Sequence, residues 1–241
     1  MLPWLPPHRV GFPPVEQALR EPDGLLAAGG ELSPDWLRCA YRRGIFPWFA
    51  PGEPILWWSP NPRLVLFPEE IHVRRSLAKR LRNAGFTVTF DHAFSTVIDA
   101  CATLREDHEG TWITPEMRHA YCRLHADGDA HSVEVWRDGD LVGGLYGIGL
   151  GGVFFGESMF SRIADASKVA LVHLARHLAA HGGRMIDCQV HTPHLASLGA
   201  RSIARSSFID YLDQYTEAPV SPMLWPSATS NHFSVEEPKL T

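Results

Sequence analysis

The middle of the chain carries the pattern that most constrains the fold, a run of β-strand signals separated by tight turns. Apolar and polar residues alternate over residues 131–137 and again over residues 141–150, and Asp138-Gly139-Asp140 separates the two segments. An Asp-Gly pair between alternating segments is a strong signal of a β-hairpin. Gly151-Gly152 then turns the chain into a third strand at residues 153–155. The sequence therefore predicts a hairpin that continues directly into a third strand.

A helix and a further strand follow this hairpin. Residues 166–180 have the periodicity of an amphipathic helix, and residues 185–190 form a short apolar strand. The order strand, strand, strand, helix, strand is typical of an α/β sandwich. Upstream, we expect strands at 64–67 and 86–90 and helices at 73–83, 93–104 and 114–127, the last one capped by Thr114.

The first part of the chain has a different composition, rich in proline, glycine and tryptophan. Its best helix candidate covers residues 34–43, with Ser33 as the N-cap and Gly44 as the stop. The many prolines that follow exclude a regular helix. We therefore predict a small N-terminal domain over residues 1–62, a main domain over residues 63–215 and a loosely ordered tail over residues 216–241.

Composition and charge narrow the class of protein. The net charge of −5 argues against a chain that is basic throughout, so any RNA site must be a local patch. The cysteines Cys39, Cys101, Cys122 and Cys188 are scattered without a metal-like spacing, which indicates reduced thiols. The first residues contain prolines where a signal peptide needs an unbroken apolar core, and no apolar run is long enough to span a membrane. We therefore expect a cytoplasmic protein with no membrane partner.

Three polar residues at the predicted strands are candidates for chemistry. Glu157 follows the third strand, where we expect the strand to open into a loop; alternatively it is a turn carboxylate that caps the next helix. Asp187 and Gln189 share one face of the last strand because side chains alternate with a period of two. Such a pair is costly inside an apolar strand unless it is hydrogen-bonded. It is either a core network or an orienting carboxylate beside a substrate-contacting amide, and adjacent strands would let Glu157 face it.

The helix at residues 166–180 carries an apolar stripe at i, i+3 and i+7 spacing. Such a stripe is core by default, but it can also form the wall of a pocket. The residues of this wall and of the pocket floor would be Leu171, Leu174 and Leu178 together with Leu145, Phe154 and Met159. A pocket of this kind accepts a large apolar side chain and discriminates little between similar shapes.

Two other chemistries are less favoured. His173, His177 and His181 repeat at a four-residue spacing on the same helix, but no carboxylate or cysteine completes a recognised zinc motif. We therefore expect a solvated polar face and no metal. Cys188 near several histidines would suggest a thiol nucleophile, but the period of two points it away from the polar pair on its strand.

Basic and aromatic residues suggest a nucleic-acid partner. The helix predicted at 73–83 carries Arg74, Arg75, Lys79 and Arg80. Such a run is usually a solvated face, and it is also how proteins hold an RNA backbone. The tryptophans Trp48, Trp57, Trp58 and Trp112 are either structural or able to stack on an unpaired base. The sequence has no glycine-rich phosphate loop, so ATP is not implied.

Eight short segments together resemble the leucyl/phenylalanyl-tRNA–protein transferase family. They are EPDGLLAAGG (21–30), RGIFPW (43–48), LWWSP (56–60), GTWIT (110–114), FGESMFSR (155–162), ASK (166–168), IDCQV (186–190) and ASLGA (196–200). The segments run in family order over residues near 12 to 212. The flanks depart from the pattern, and Leu174 and Leu178 stand where some relatives have aromatic residues.

The resemblance implies an α+β fold, with a small N-terminal domain followed by an acetyltransferase-like (GNAT-type) α/β domain. It also implies an aminoacyltransferase that moves Leu or Phe, and also Met, from aminoacyl-tRNA to the N-terminal Arg or Lys of acceptor proteins. The new peptide bond marks the acceptor for N-end-rule degradation. Because the donor is already an activated ester, no cofactor is expected.

Individual roles follow from the same resemblance. Gln189 would accept a hydrogen bond from the acceptor amine, Asp187 would orient and polarise Gln189, and Glu157 would hold the α-amino group of the donor. Trp48 and Trp112 would contact the terminal adenosine of the tRNA. The basic helix would contact the acceptor-stem phosphates.

Two rival functions remain open at this point. An acyl-CoA-dependent N-acyltransferase on the same fold would need a backbone pyrophosphate site of the Arg/Gln-x-x-Gly-x-Gly/Ala kind, which the sequence does not contain. A non-catalytic adaptor that binds basic N-termini would not need an aromatic adenosine site.

Overall fold

The strands of the protein form two sheets in a computed structural model that describes residues 1–106 and 111–225. The smaller sheet contains β1 (Trp4–Leu5), β2 (Leu25–Gly29), β3 (Phe46–Pro47) and β4 (Leu56–Trp58), in the order β1-β2-β4-β3. Its strands are short because prolines and glycines interrupt this part of the chain.

The larger sheet begins directly after the smaller one and is mixed. It contains β5 (Arg63–Leu66), β6 (Thr87–Phe90), β7 (Ala130–Arg137), β8 (Asp140–Leu150), β9 (Val153–Ser161), β10 (Met185–Gln189) and β11 (Arg201–Ile203), in the order β11-β5-β10-β9-β8-β7-β6. Strands β9 and β10 pair in parallel, and the other neighbours pair antiparallel. The predicted hairpin and the strand after it are therefore confirmed as β7, β8 and β9.

Helices cover both faces of the larger sheet. They are α1 (Pro34–Arg42), α2 (Arg75–Asn83), α3 (Phe94–Glu106), α4 (Pro115–Asp127), α5 (Ala166–His181), α6 (Pro193–Ala196) and α7 (Arg205–Tyr215). Phe154 packs in one apolar cluster with α5, and its neighbour Phe155 packs in another with α1, α3 and α4. Consecutive residues of a strand point to opposite faces, so α5 lies on one face and the other three on the opposite face. The expected α+β class is confirmed.

Helix α5 is the crossover that joins the parallel strands β9 and β10, as a parallel pair requires. The start of α4 is confirmed in detail, since the Thr114 hydroxyl accepts the Met117 backbone N–H at 3.3 Å. Ser33 is the N-cap of α1 as predicted, but its side chain makes no capping hydrogen bond. Within the described part of the chain, no helix is both long and apolar enough to cross a membrane.

Strand β9 is longer than the sequence pattern predicts, and this changes the place of Glu157. The predicted strand ended at Phe155, but β9 stays paired with β8 up to Ser161, opposite Gly143. The expectation that Glu157 lies where the strand opens into a loop is therefore wrong. The glycine and polar residues after Phe155 resemble a turn, and the long partner strand overrides this local signal.

The chain after the last helix packs onto the larger sheet. The indole of Trp225 stacks on His131, with ring centroids 3.8 Å apart and planes 6° from parallel. The carbonyl oxygen of buried Leu224 lies 2.8 Å from Nε2 of His177. Within the predicted tail, Leu224 and Trp225 thus pack against the main domain, and residues 226–241 lie outside the described residues.

Candidate active site

A cavity of about 380 Å³ opens where the parallel strands β9 and β10 part. The two strands pair up to Phe155 and Asp187, and beyond these residues they share no further ladder contacts. The cavity is lined mainly by Phe46, Pro47, Trp48, Trp112, Leu145, Phe154, Glu157, Met159, Leu171, Leu174, Ile186, Asp187, Cys188, Gln189 and Val190. Side chains that are far apart in sequence therefore meet at the end of the parallel seam.

Glu157 lies on the inner wall of the cavity and is almost fully buried. Its Oε1 accepts hydrogen bonds from the Tyr41 hydroxyl at 2.7 Å and from the Gln189 amide at 2.9 Å. Its Oε2 accepts the Tyr121 hydroxyl at 2.7 Å. A carboxylate oxygen has two acceptor sites, so Oε2 keeps one for a further donor. The expectation that Glu157 faces the polar pair of β10 is confirmed for Gln189.

Burial and hydrogen bonding have opposite effects on the pKa of Glu157. Burial raises the pKa of Glu157 from its ordinary 4.5 to about 7, although the hydrogen bonds from Tyr121 and Tyr41 oppose this rise. Burial also raises the pKa of both tyrosines well above 10, and the Glu157 charge adds to the effect. The tyrosines therefore stay protonated as donors, while Glu157 changes charge near neutral pH.

Asp187 is fully buried and forms a bidentate ion pair with Arg63. Its Oδ1 lies 2.8 Å from Nε of Arg63, and its Oδ2 lies 2.7 Å from the second guanidinium nitrogen. Arg63 is equally buried and lies between the rings of Phe46 and Phe208, with its Cζ 4.7 Å from each centroid. A carboxylate in this position is compensated by its own cation, as a buried charge requires.

The expected contact between the carboxylate of Asp187 and the side chain of Gln189 is wrong. Oδ1 of Asp187 accepts the backbone N–H of Gln189 at 2.9 Å, and the side-chain amide turns to Glu157 instead. A β-bulge interrupts the pairing of β10 with β5 between these residues, and Gln189 has a φ of 61°. The bulge breaks the period of two on which the expectation rested.

Gln189 is half-buried at the floor of the cavity. Its amide nitrogen donates to Glu157, so the amide orientation is fixed by a charge-assisted hydrogen bond. The side-chain carbonyl oxygen has no partner within residues 1–106 and 111–225 and remains available as an acceptor. The site therefore presents a fixed hydrogen-bond acceptor beside an apolar space.

The apolar part of the cavity matches the predicted pocket except at one position. Leu145, Phe154, Met159, Leu171 and Leu174 line it, together with Ile186, which the sequence pattern did not suggest. Leu178 does not line the cavity. It is buried on the same stripe one turn further along α5, where it packs against Gly183, so the cavity ends before the stripe does.

The mouth of the cavity is aromatic. Trp48 is half exposed, and its ring lies 5.5 Å from that of Trp58 at an angle of 59°. Trp112 is half-buried and lines the same cavity. Trp57, in contrast, is fully buried and donates to the carbonyl of Gly29 at 2.8 Å, so it is a structural residue of the smaller sheet. The opening therefore offers Trp48 and Trp112 as surfaces for a flat ring.

The predicted basic patch lies on Arg74, the N-cap of α2, and on the first two turns of this helix. Arg74, Arg75 and Lys79 are exposed. Arg80 is half-buried and donates to the carbonyl of Ala164 at 3.1 Å, with Asp165 3.8 Å away. Three of the four predicted cations are thus free to meet an anionic partner, and Arg80 also holds the loop before α5.

The geometry supports neither a thiol nucleophile at Cys188 nor a zinc site on the histidine-bearing helix. Burial and the neighbouring Asp187 charge raise the pKa of the Cys188 thiol, so it stays protonated at neutral pH. Across the described ranges 1–106 and 111–225, no cluster of three or more His, Cys, Asp or Glu side chains is placed to hold a metal ion. His177 and His181 are instead engaged with the backbone carbonyls of Leu224 and His177.

Sequence comparison assigns the chain to a family. The profile of the leucyl/phenylalanyl-tRNA protein transferase N-terminal domain matches residues 30–61, and the profile of the leucyl/phenylalanyl-tRNA protein transferase matches residues 65–213. The chain belongs to the leucyl/phenylalanyl-tRNA–protein transferase family. The resemblance carried by the eight short segments is therefore confirmed.

Relatives that bear the transferase name match along nearly their whole length. A protein of Chromohalobacter salexigens is 85% identical over 230 residues, which cover 95% of this chain and 90% of the relative. A protein of an Azoarcus species is 60% identical over 97% of this chain and 99% of its own length. One of Chromobacterium violaceum is 59% identical, with coverage of 93% and 96%. Among solved structures, a GCN5-related N-acetyltransferase from Kribbella flavida matches 71% of this chain and 61% of its own, at 15% identity and a TM-score of 0.37.

Three residues of this candidate site are not anticipated from the sequence. Tyr41 and Tyr121 hold Glu157, and Arg63 holds Asp187. The tyrosines gave no signal because each lies on the apolar face of an ordinary amphipathic helix. Arg63 gave no signal either, because the pattern places it directly before the strand that begins at Leu64, where a charged side chain is ordinarily exposed.

Proposed function

We propose that the protein transfers leucine or phenylalanine, and also methionine, from aminoacyl-tRNA to the N-terminal Arg or Lys of acceptor proteins. The product carries a new peptide bond and is marked for N-end-rule degradation. The observation that carries the proposal is the amide of Gln189, which Glu157 holds at the floor of an apolar cavity with its carbonyl oxygen free. Membership of the transferase family supports the same reaction.

The reaction needs positioning more than strong acid–base chemistry. The α-amine of the acceptor attacks the ester carbonyl of the donor, a C–N bond forms, and the C–O bond to the terminal ribose breaks. The amine proton ends on the released ribose hydroxyl. The carbonyl oxygen of Gln189 accepts a hydrogen bond from the amine and aims its lone pair at the ester. A neutral amide is a weak base, so most of the rate comes from orientation.

Glu157 and Asp187 act on Gln189 from opposite sides. Glu157 orients the side-chain amide, and the free acceptor site on its Oε2 suits the α-amino group of the donor. Asp187 fixes the backbone of Gln189 at the bulge through its N–H. In this proposal Gln189 contacts the acceptor, Glu157 contacts the donor, and Asp187 positions Gln189.

The remainder of the donor occupies the cavity and its mouth. The aminoacyl side chain fits the apolar wall formed by Leu145, Phe154, Met159, Leu171 and Leu174. Trp48 and Trp112 stack on the terminal adenosine. An aromatic ring can bind an unpaired base in this way whatever the sequence of the nucleic acid. The exposed cations of α2 contact the phosphates of the acceptor stem.

The proposal also divides the chain into two units. We propose a small N-terminal unit over residues 1–62 and an aminoacyltransferase unit over residues 63–215, because the two sheets divide at this point. We also place the reaction in the cytoplasm, since Cys39, Cys101, Cys122 and Cys188 are free thiols.

A transfer assay with labelled donor tests the function. The protein is incubated with Leu-tRNA labelled in the leucine and with an acceptor protein that begins with Arg. The matched acceptors are the same protein beginning with Lys, beginning with Ser, or beginning with an acetylated Arg. We expect label on the Arg and Lys forms alone. Transfer from acetyl-CoA in place of Leu-tRNA would support the acyl-CoA-dependent rival, and stable binding of the acceptor without any label would support the adaptor.

A further inference from the structure

Arg63 lies at the junction of the two sheets and is buried on all sides. It is the first residue of β5, and its side chain is 1% exposed. Three groups surround the guanidinium: the carboxylate of Asp187, the carbonyl oxygen of Gly44 and the rings of Phe46 and Phe208. All of its contacts point to the two walls of the active site or to α7 behind it.

On one side, Arg63 is connected through Asp187 to the cavity wall that carries Gln189. The bidentate pair fixes the carboxylate of Asp187, and the Oδ1 atom of this carboxylate also accepts the backbone N–H of Gln189. Gln189 has a φ of 61°, a conformation that a residue with a side chain adopts at a cost. The hydrogen bond to Asp187 therefore holds the residue at the angle from which its amide reaches Glu157.

On the other side, Arg63 contacts the segment that leads to Trp48 in the opposite cavity wall. The guanidinium donates to the carbonyl oxygen of Gly44 at 3.3 Å and packs against the ring of Phe46. Residues 46–48 all line the cavity. Gly44 packs closely against α7, since a Cβ there would lie 2.9 Å from the ring of Phe208. The position of the aromatic mouth therefore depends on the same guanidinium as the amide.

We propose that Arg63 is a positioning residue, which fixes the amide of Gln189 and the aromatic segment 46–48 relative to one another. The inference rests on the proposed function, in which the amide orients the acceptor amine and Trp48 holds the donor adenosine. Both substrates must meet within a bond length, so one rigid connection between their two walls serves the reaction directly. A misplacement of about 1 Å in such a site lowers the rate by on the order of 100-fold.

The contacts of Arg63 depend on the planar, multiply donating guanidinium group, which lysine lacks. The planar fork meets both oxygens of Asp187, a further N–H reaches Gly44, and Cζ lies 4.7 Å from the ring centroids of Phe46 and Phe208. A lysine at this position keeps the charge but cannot make all of these contacts at once. The charge of Arg63 also opposes the rise in the pKa of Glu157, which links it to the third polar residue of the site.

The test removes the connection without leaving a buried charge. The double variant Arg63→Met/Asp187→Asn has no lone ion, and the amide oxygen that it introduces on β10 can still accept the Gln189 N–H. The matched control is Arg201→Met/Glu70→Gln, which removes an arginine that also pairs with a carboxylate and packs over an aromatic ring, at an exposed edge. A third variant, Arg63→Lys, keeps the charge. Melting temperature, single-turnover leucine transfer and the KM for Leu-tRNA are measured for each.

We expect the double variant to melt within a few degrees of the parent but to transfer leucine on the order of 100-fold more slowly, with a raised KM for Leu-tRNA. Arg63→Lys should also be slow while its pH profile keeps the parental shape. The control should match the parent in every measurement. Parental transfer per folded molecule in either Arg63 variant would overturn the proposal, and Arg63→Lys alone decides the question if the double variant does not fold.

Hydrogen exchange separates this proposal from the proposed function. In the double variant, amides of residues 43–50 and 186–190 should exchange faster than in the parent, while those of β7 should not change. This readout needs no activity. A parent that fails to transfer leucine would refute the function, whereas unchanged exchange in either segment would refute the connection through Arg63.

Discussion

The side-chain amide of Gln189 donates to Oε1 of Glu157 at 2.9 Å, and these two residues lie on neighbouring parallel strands. The group that orients the amide is therefore a carboxylate on β9 and not the carboxylate two residues earlier on β10. Asp187 holds the backbone of Gln189 and is itself neutralised by Arg63. Changes at Glu157 and at Asp187 should consequently have different effects on the protein.

The first prediction concerns the pH dependence of transfer. Glu157 accepts its three hydrogen bonds as a carboxylate, so the site is complete when this group is ionised, above its pKa of about 7. The acceptor amine, with an ordinary pKa of about 8, must also lose its proton. Below about pH 6 the logarithm of kcat/KM should rise with a slope of about two in the parent and about one in Glu157→Gln. Equal slopes in the two proteins would contradict the role of Glu157.

The same group sets a pH dependence of stability. Because the folded-state pKa of Glu157 is raised from 4.5 to about 7, the folded chain binds this proton more tightly than the unfolded chain does. The stability that the proton gives is complete below about pH 4.5 and is lost as the pH rises through 7. Relative to Glu157→Gln, the parent should lose about 3 kcal/mol of unfolding free energy over this window. Denaturant titrations of both proteins check this, and a difference that stays constant with pH is the contrary outcome.

A second prediction separates the charge of Asp187 from its hydrogen bonds. Asp187→Ala leaves Arg63 buried without a partner and should lower the unfolding free energy by about 3–5 kcal/mol. Asp187→Asn with Arg63→Met should recover most of this loss, because no lone charge remains. Thermal or urea unfolding measures both. If Asp187→Ala is as stable as the parent, then the Arg63–Asp187 pair does not hold the two walls together.

A third prediction uses two leucines on one helix. Leu174 lines the cavity, whereas Leu178 is buried behind it. Leu174→Ala should change the relative use of Leu, Phe and Met donors by several-fold, and Leu178→Ala should lower stability by about 2–5 kcal/mol without changing the donor ratio. Competition between charged tRNAs gives this ratio. The parent should use Ile and Val poorly, and equal transfer of Val and Leu would be incompatible with the pocket.

The sequence predicts the elements that form this site better than the contacts within it. The alternation over β7 and β8 and the apolar stripe of α5 are strong periodic signals, and both identify their elements correctly. Glu157 and Gln189 can also be selected, because polar residues next to apolar strand segments are costly to bury without a partner. Leu178 shows the limit of periodicity, since a stripe on a helix does not tell where the cavity ends.

The missed contacts have physical causes that no local pattern carries. The bulge at Gln189 depends on pairing with β5, and the length of β9 depends on β8. Tyr41 and Tyr121 reach Glu157 from helices that are distant in sequence. The sequence pattern begins the strand at Leu64, whereas Arg63 is the first residue of β5 and is fully buried. Such contacts are set by tertiary packing and appear when the sheet is assembled.

A fourth prediction concerns the binding of tRNA. Replacing Arg74, Arg75 and Lys79 by Gln should weaken binding and reduce the slope of log K against log salt by about 2 to 3, since each phosphate contact contributes roughly 0.7 to 0.9. The matched control replaces the exposed residues Arg9, Arg123 and Arg184 in the same way. Fluorescence titrations at several salt concentrations give the slopes. Identical slopes for the two triple variants would place the RNA site elsewhere.

The central claim is that the amide of Gln189 orients the acceptor amine, and single-turnover transfer by Gln189→Ala tests it most directly. Gln189 is half-buried, so its truncation should leave the melting temperature near that of the parent. With Leu-tRNA and an Arg-initiated acceptor both saturating, we expect the rate to fall on the order of 100-fold, with donor affinity almost unchanged. A parental rate per folded molecule of Gln189→Ala would contradict the assignment.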